Sequence, residues 1–181
     1  MKFIVFAASH REQSLNRKLA LLAAKQLEQS SSAVTFLEYS ELDMPLYKDD
    51  PTTPPPEEAT RLHRHMKNVN GLVICTPEYN WSYPGTLKNI IDWTSRLPQQ
   101  SLAGKTALLM CASPGGRGGV MGLQHLKLPL EALQMYVYPK MLPLGNAETV
   151  LSERGISNTK QQKTFETLIH DFVTFTRKLS G

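Results

Sequence analysis

A parallel α/β fold with its sheet covered on both faces is what this sequence predicts, and three observations carry that prediction. Short, continuously apolar runs rich in Val, Ile, Leu and Phe recur along the chain, as strands buried on both faces require. Between them lie longer segments whose apolar residues repeat at three- and four-residue spacing, as on one face of a helix. No internal repeat, low-complexity tract or interdomain linker interrupts the 181 residues, so one domain spanning 1–181 is expected.

Lys2 to Ala8, rich in Phe, Ile and Val, is the first strand. Ser14 to Gln29 is helical, with Leu15, Leu19, Leu22, Ala23 and Leu27 on one face. Ala33 to Tyr39 is the second strand. The proline-rich stretch from Leu42 to Pro56 is a connection, too short to separate domains, and a helix follows over Glu57 to Asn68. Gly71 to Thr76 is the third strand, and Pro84 to Leu97 a helix with proline at its first turn. Lys105 to Ala112 is the fourth strand. The helical pattern from Gly118 to Leu133 contains Pro129, which is expected to kink or split it. Met135 to Pro139 is a short fifth strand, Lys140 to Asn158 a loop region, and Ser157 to Lys178 the last helix, with Phe165, Leu168, Ile169, Phe172 and Val173 in its apolar stripe. Five strands and five helices at this length match a flavodoxin-like doubly wound five-stranded parallel sheet in the order 2-1-3-4-5. That order places a ligand crevice beyond the carboxyl ends of strands one and three.

Composition narrows the function classes. Hydrophobic residues make up 41% and the formal net charge is +4, a balance compatible with anionic small molecules. The basic residues are scattered rather than gathered into a stripe, so no nucleic-acid partner is expected. Cys75 and Cys111 each fall late in an apolar run and lack C-x-x-C spacing, which reads as buried thiols in a reducing, cytoplasmic compartment. The apolar N-terminus runs straight into Arg11 and Glu12, so it is a strand rather than a signal peptide. No stretch approaches the length of a membrane span, and no membrane association is expected.

Three loops at strand ends carry the candidate chemistry. The first, Ala8-Ser-His-Arg-Glu-Gln-Ser-Leu-Asn16, gathers hydroxyls, a guanidinium, an amide and free N–H groups at a helix start. The helix dipole and unpaired donors there suit a phosphate dianion, although Ser14 or Asn16 could equally serve as a plain helix cap. It is neither a G-x-G-x-x-G nor a Walker loop. The second, within Cys75 to Trp93, presents Glu78, Tyr79 and Asn80 together with Trp81 and Tyr83, a set suited to a planar heteroaromatic ligand with polar edges. Those aromatics either pack on neighbouring helices or meet a partner. The third, Ser113-Pro-Gly-Gly-Arg-Gly-Gly119, allows close backbone approach to a ligand, or is a flexible turn.

Taken together, Ser9-x-Arg11-x-x-Ser14-x-Asn16, Thr76-Pro-Glu-Tyr-Asn80, Pro84-Gly-x-Leu-Lys-Asn89-x-Ile-Asp-Trp93 and Ser113-Pro-Gly-Gly116 resemble the NAD(P)H-dependent FMN reductases, a group that includes bacterial quinone and chromate reductases. The resemblance spans nearly the full chain and extends to Leu42-x-Met-Pro-Leu-Tyr47 and Glu153-Arg-Gly155. It implies FMN as cofactor, NADPH or NADH as cosubstrate, and a quinone, azo, nitro or oxidised-metal acceptor. It implies that Ser9, Arg11, Ser14 and Asn16 bind the FMN phosphate, and that Pro77, Glu78, Tyr79 and Asn80 line the ribityl chain and ring. Ser113, Gly115 and Gly116 would cover the pyrimidine side, with backbone donors stabilising negative charge there. A homodimer or homotetramer is implied as well. No side-chain acid or base and no metal is required, because the flavin carries the electron chemistry. His10 is then a neighbour of the phosphate rather than a catalytic group. Ala8 departs from the family pattern, in which glycine is common. A flavodoxin-type electron carrier is the alternative, but such carriers are usually acidic. A flavin-binding regulatory protein without turnover would use the same binding residues.

Overall fold

The structure, a computed structural model, describes residues 1–97 and 101–180. Its sheet is built from β1 (Lys2–Ala7), β2 (Ala33–Leu37), β3 (Gly71–Cys75), β4 (Thr106–Ala112) and β5 (Tyr136–Val137), all neighbours parallel, in the order β2-β1-β3-β4-β5. This is the predicted flavodoxin-like order. Phe3 pairs with Gly71 and Ala7 with Cys75, so β1 and β3 end side by side at their carboxyl ends. The helices are α1 (Leu15–Gln29), α2 (Glu57–Lys67), α3 (Gly85–Ser95), α4 (Val120–Ala132), α5 (Ala147–Val150) and α6 (Thr159–Leu179).

Alternation along each strand sends side chains to two cores. Phe3, Val5, Val73, Cys75, Leu108 and Met110 pack with residues of α1 and α6 on one face. Ile4, Phe6, Leu72, Ile74, Leu109 and Cys111 pack with α2, α3 and α4 on the other. Phe3 and Phe172 of α6 sit 5.5 Å apart at their ring centroids, both fully buried. Burial of each such ring contributes on the order of 1.5–3 kcal/mol. The two cysteines are buried in opposite cores, so they cannot form a disulfide with each other.

Two expectations are corrected. Helix α4 runs unsplit through Pro129. The proline stands in the last turn, where it forgoes a single bond to the carbonyl one turn back and leaves the rest of the ladder intact. The stretch from Lys140 to Asn158 is not a loop throughout. It holds β6 (Leu142–Leu144), α5, and a hairpin of β7 (Leu151–Ser152) with β8 (Gly155–Ile156). β6 pairs in parallel with Met110–Ala112 and prolongs the edge begun by β5. Pro143 is accommodated because an edge strand needs hydrogen bonds on one side only. Elements of two to four residues are too short to show a period; pairing with β4 decides β6, and pairing with each other decides β7 and β8.

Candidate functional site

The first loop leaves β1 through a tight turn at Ala8. The Ala8 N–H donates to the Cys75 carbonyl (2.8 Å) and the Ser9 N–H to the Ala7 carbonyl (3.0 Å). Ala8 makes this bend without a positive φ, so the absence of glycine carries no penalty. Ser14 then caps α1, its Oγ accepting from the Arg17 N–H at 3.2 Å. The hydroxyl proton of Ser14 is left to donate. The N–H groups of Leu15 and Asn16, the first two residues of α1, have no intrahelical acceptor and are the helix's free donors.

Asn16 serves a purpose the sequence did not disclose. It is buried, its Nδ2 donates to the Ala112 carbonyl (3.0 Å), and its Oδ1 accepts from the Ala112 N–H (2.9 Å). It is therefore a brace tying α1 to the end of β4, with one amide hydrogen left over. Ser9, Arg11, Ser14, Asn16, Pro77, Glu78, Tyr79 and Ser113 all line one cavity of about 370 Å³, so the three loops do converge. Glu148 of α5 and Leu151 of β7 close its rim. Both come from the stretch read as loop.

In the second loop, the Glu78 carboxylate accepts from the Gly122 N–H at 2.8 Å. It thus caps the positive end of α4, and its backbone is what remains for a ligand. Gly122 permits the approach, since a Cβ there would lie 3.2 Å from both the Glu78 Cβ and the Ser82 carbonyl oxygen. Tyr79 and Ser82 exchange backbone hydrogen bonds (2.8 and 3.0 Å) around Asn80 and Trp81, at φ 49° and 67°. This is a type I′ turn, normally occupied by Asn or Gly at both positions. The Tyr79 N–H is consumed by the turn. Asn80 stands exposed at its tip and does not line the cavity. Trp81 is exposed beside it, with the Arg117 guanidinium 5.0 Å from its ring centroid. Tyr83 turns inward and packs on the core beneath α3.

The third loop is held by backbone-to-backbone packing. Gly119 has φ 74°, and a Cβ on it would fall 2.2 Å from the Cys111 Sγ. Burial and the nearby Glu78 carboxylate push that thiol up to about 12. The Gly115 N–H is already bonded to Ser113 Oγ (3.2 Å), and Gly115 and Gly116 form the exposed outer edge of the loop, beyond the cavity lining.

A second, mostly apolar cavity of about 460 Å³ adjoins the first through Ser9 and Tyr79, and is walled by Ala8, His10, Met44, Leu46 and Pro84. Its outer wall is the Leu42 to Tyr47 segment, and α3 pins that segment in place. Asn89 Nδ2 donates to the Met44 and Pro45 carbonyls (3.0 Å each), and its Oδ1 accepts from the Tyr47 N–H (2.7 Å). Trp93 Nε1 donates to the Pro45 carbonyl at 2.7 Å. The spacing of Asn89 and Trp93, one helical turn apart, was the signal available in the sequence. Among the described residues no cluster of His, Cys, Asp and Glu could hold a metal ion. Hydroxyls, a guanidinium and helix-start N–H groups at one end, with aromatic and apolar walls at the other, fit a phosphorylated planar ring such as FMN.

Several known proteins are similar to this chain. The family model for NADPH-dependent FMN reductase matches residues 1–149. The quinone reductase of Escherichia coli (strain K12) is 38% identical over 142 residues, covering 77% of this chain and 74% of that protein. The quinone reductase of Pseudomonas putida is 33% identical over 181 residues, covering 96% and 93%. Among solved structures, FerB, a flavoenzyme NAD(P)H:(acceptor) oxidoreductase from Paracoccus denitrificans, superposes with a TM-score of 0.85 at 30% identity, covering 98% of this chain and 97% of that one.

Proposed function

The chain belongs to the NADPH-dependent FMN reductase family and is an NAD(P)H-dependent flavin oxidoreductase; on that premise we propose that quinones are its acceptors and that the loops after β1, β3 and β4 hold its flavin. The observation that carries the proposal is the junction of a phosphate-type donor set and an apolar slot around Ser9, at the carboxyl ends of β1 and β3. FMN held there would supply the electron chemistry, two-electron hydride exchange between nicotinamide and acceptor.

The chain's own residues position and exclude. Arg11, Ser9, the Ser14 hydroxyl proton and the free N–H groups of Leu15 and Asn16 hold the phosphate. Asn16 fixes the height of α1 against β4, so those donors are set before a ligand arrives. Glu78 anchors the second loop to α4, leaving the Pro77–Glu78 backbone and the Tyr79 ring to bound the ring system. Ser113 and Pro114 bound the opposite edge. Met44, Leu46 and Pro84 keep water from the apolar slot, where nicotinamide and quinone alternate. No side-chain acid is assigned.

Purified protein is expected to be yellow and to oxidise NADH or NADPH when a benzoquinone is added. A colourless preparation that takes up no added FMN would refute the proposal. A yellow protein that oxidises neither nucleotide would instead be a flavin-binding regulator. We propose further that the chain acts as a homodimer or homotetramer in a reducing, cytoplasmic compartment, with exposed Tyr79 and Trp81 near the subunit contact. Light scattering that returns the 20.3 kDa of one chain would contradict the assembly.

A further inference from the structure

A further large space adjoins the flavin and acceptor cavities. A cavity of about 630 Å³ opens between the β1–α1 loop and the end of β2, and His10, Arg17, Glu38, Ser40 and Asp43 are among its walls. It shares Ser9 and His10 with the apolar slot, and Ser9 and Arg11 with the phosphate cavity. All three spaces are thus arranged around one loop. His10 is the partition between slot and cavity, its ring set edge-on to the Tyr39 ring at 4.0 Å.

We infer that this cavity receives the adenosine end of the nicotinamide dinucleotide and that its walls select NADH over NADPH. The inference rests on the flavin site proposed above. A dinucleotide with its nicotinamide in the apolar slot has to carry its adenosine half out of that slot, and this space is its immediate neighbour, sharing Ser9 and His10 as walls. Glu38 immediately follows β2, the place where dinucleotide-binding α/β folds put the carboxylate that accepts from a ribose hydroxyl. Arg17 holds it there, Nε donating to Oε2 at 2.9 Å and the second guanidinium nitrogen to Oε1, and keeps the carboxyl below its usual range. Each carboxylate oxygen retains a free lone pair for a sugar hydroxyl. Ser40 and Asp43 add a hydroxyl and a second carboxylate, both exposed to the space.

The charge balance makes the site selective. Arg17 is neutralised by Glu38, and Arg11 also faces the phosphate cavity, where the flavin phosphate occupies it. Among the described residues, Asp43 and Glu12 then face the space beside the neutral Arg17–Glu38 pair, with no unpaired arginine. A 2′-phosphate would meet these carboxylates, whereas a free ribose diol can donate to them.

Titration calorimetry on the flavin-loaded protein, with adenosine 5′-monophosphate and adenosine 2′,5′-bisphosphate as probes, reads the site apart from turnover. The monophosphate is expected to bind about tenfold more tightly than the bisphosphate. Asp43→Arg and, independently, Ser40→Lys are expected to favour the bisphosphate, and to shift the ratio of kcat/KM for NADPH over NADH upward by about tenfold. Absence of binding by either probe, or an unchanged nucleotide preference in both exposed-site variants, overturns the inference. Such a protein would still be yellow and active, whereas failure of the flavin site itself would show as loss of FMN and of oxidation of both nucleotides.

Discussion

Arg11 stands exposed at the mouth of the phosphate cavity, while Asn16 is sealed beneath it, and their substitutions separate binding from scaffolding. Arg11→Ala is expected to weaken FMN affinity by roughly 1.5–3 kcal/mol, the scale of a hydrogen bond to a charged group, with little change in folding stability. Fluorescence titration of FMN measures it, and an unchanged affinity would place the phosphate elsewhere. Asn16→Leu strips both backbone groups of Ala112 of their partners and is expected to cost about 1–3 kcal/mol for a buried group left unsatisfied, read by urea unfolding. Gly119→Ala combines φ 74° with a Cβ 2.2 Å from the Cys111 sulfur. Overpacking alone there should cost about 1–3 kcal/mol. The sequence named each of these residues, yet their partners were hidden. Asn16 and Ala112 are 96 positions apart and Glu78 and Gly122 are 44 apart, so no local pattern links them.

Helix α3 reaches across the molecule at one specific place. Asn89 and Trp93 hold the Met44 to Tyr47 segment by four hydrogen bonds to its backbone, and that segment walls the apolar slot. Asn89→Ala is expected to raise the KM for quinone and to speed amide exchange over residues 44–47, while FMN affinity stays near its starting value. Exchange rates that do not move would mean that Trp93 alone holds the segment. The element types were readable because the strands are continuous apolar runs and the helices carry long stripes. β6 and the β7–β8 hairpin were not readable, because their identity resides in pairing with β4 and with each other.

The two-faced core governs how the whole molecule answers pH and thiol reagents. His63 of α2 is buried with no partner for Nδ1 among the described residues, and burial, aided by Lys67, holds its pKa below the ordinary 6.5. The unfolded chain therefore takes up this proton more readily than the folded one. Stability is full above about pH 6.5 and falls as the pH drops through and below it. Melting temperatures between pH 7.5 and 5.5 should show that fall, and His63→Leu should flatten it. Both cysteines are buried with their pKa raised, so a thiol reagent should label neither in the native protein and both after unfolding. Fast labelling of native protein would show that one core opens readily. The sequence by itself determined the run of strands and helices and the three loops suited to a planar ligand with a phosphate, because strand runs, helix stripes and loop chemistry are local properties of the chain; FMN followed from the family resemblance that the loop motifs carry. Only the tertiary structure decided which loop residues face a ligand and which brace one element to another, because a side chain's hydrogen-bond partners depend on long-range packing.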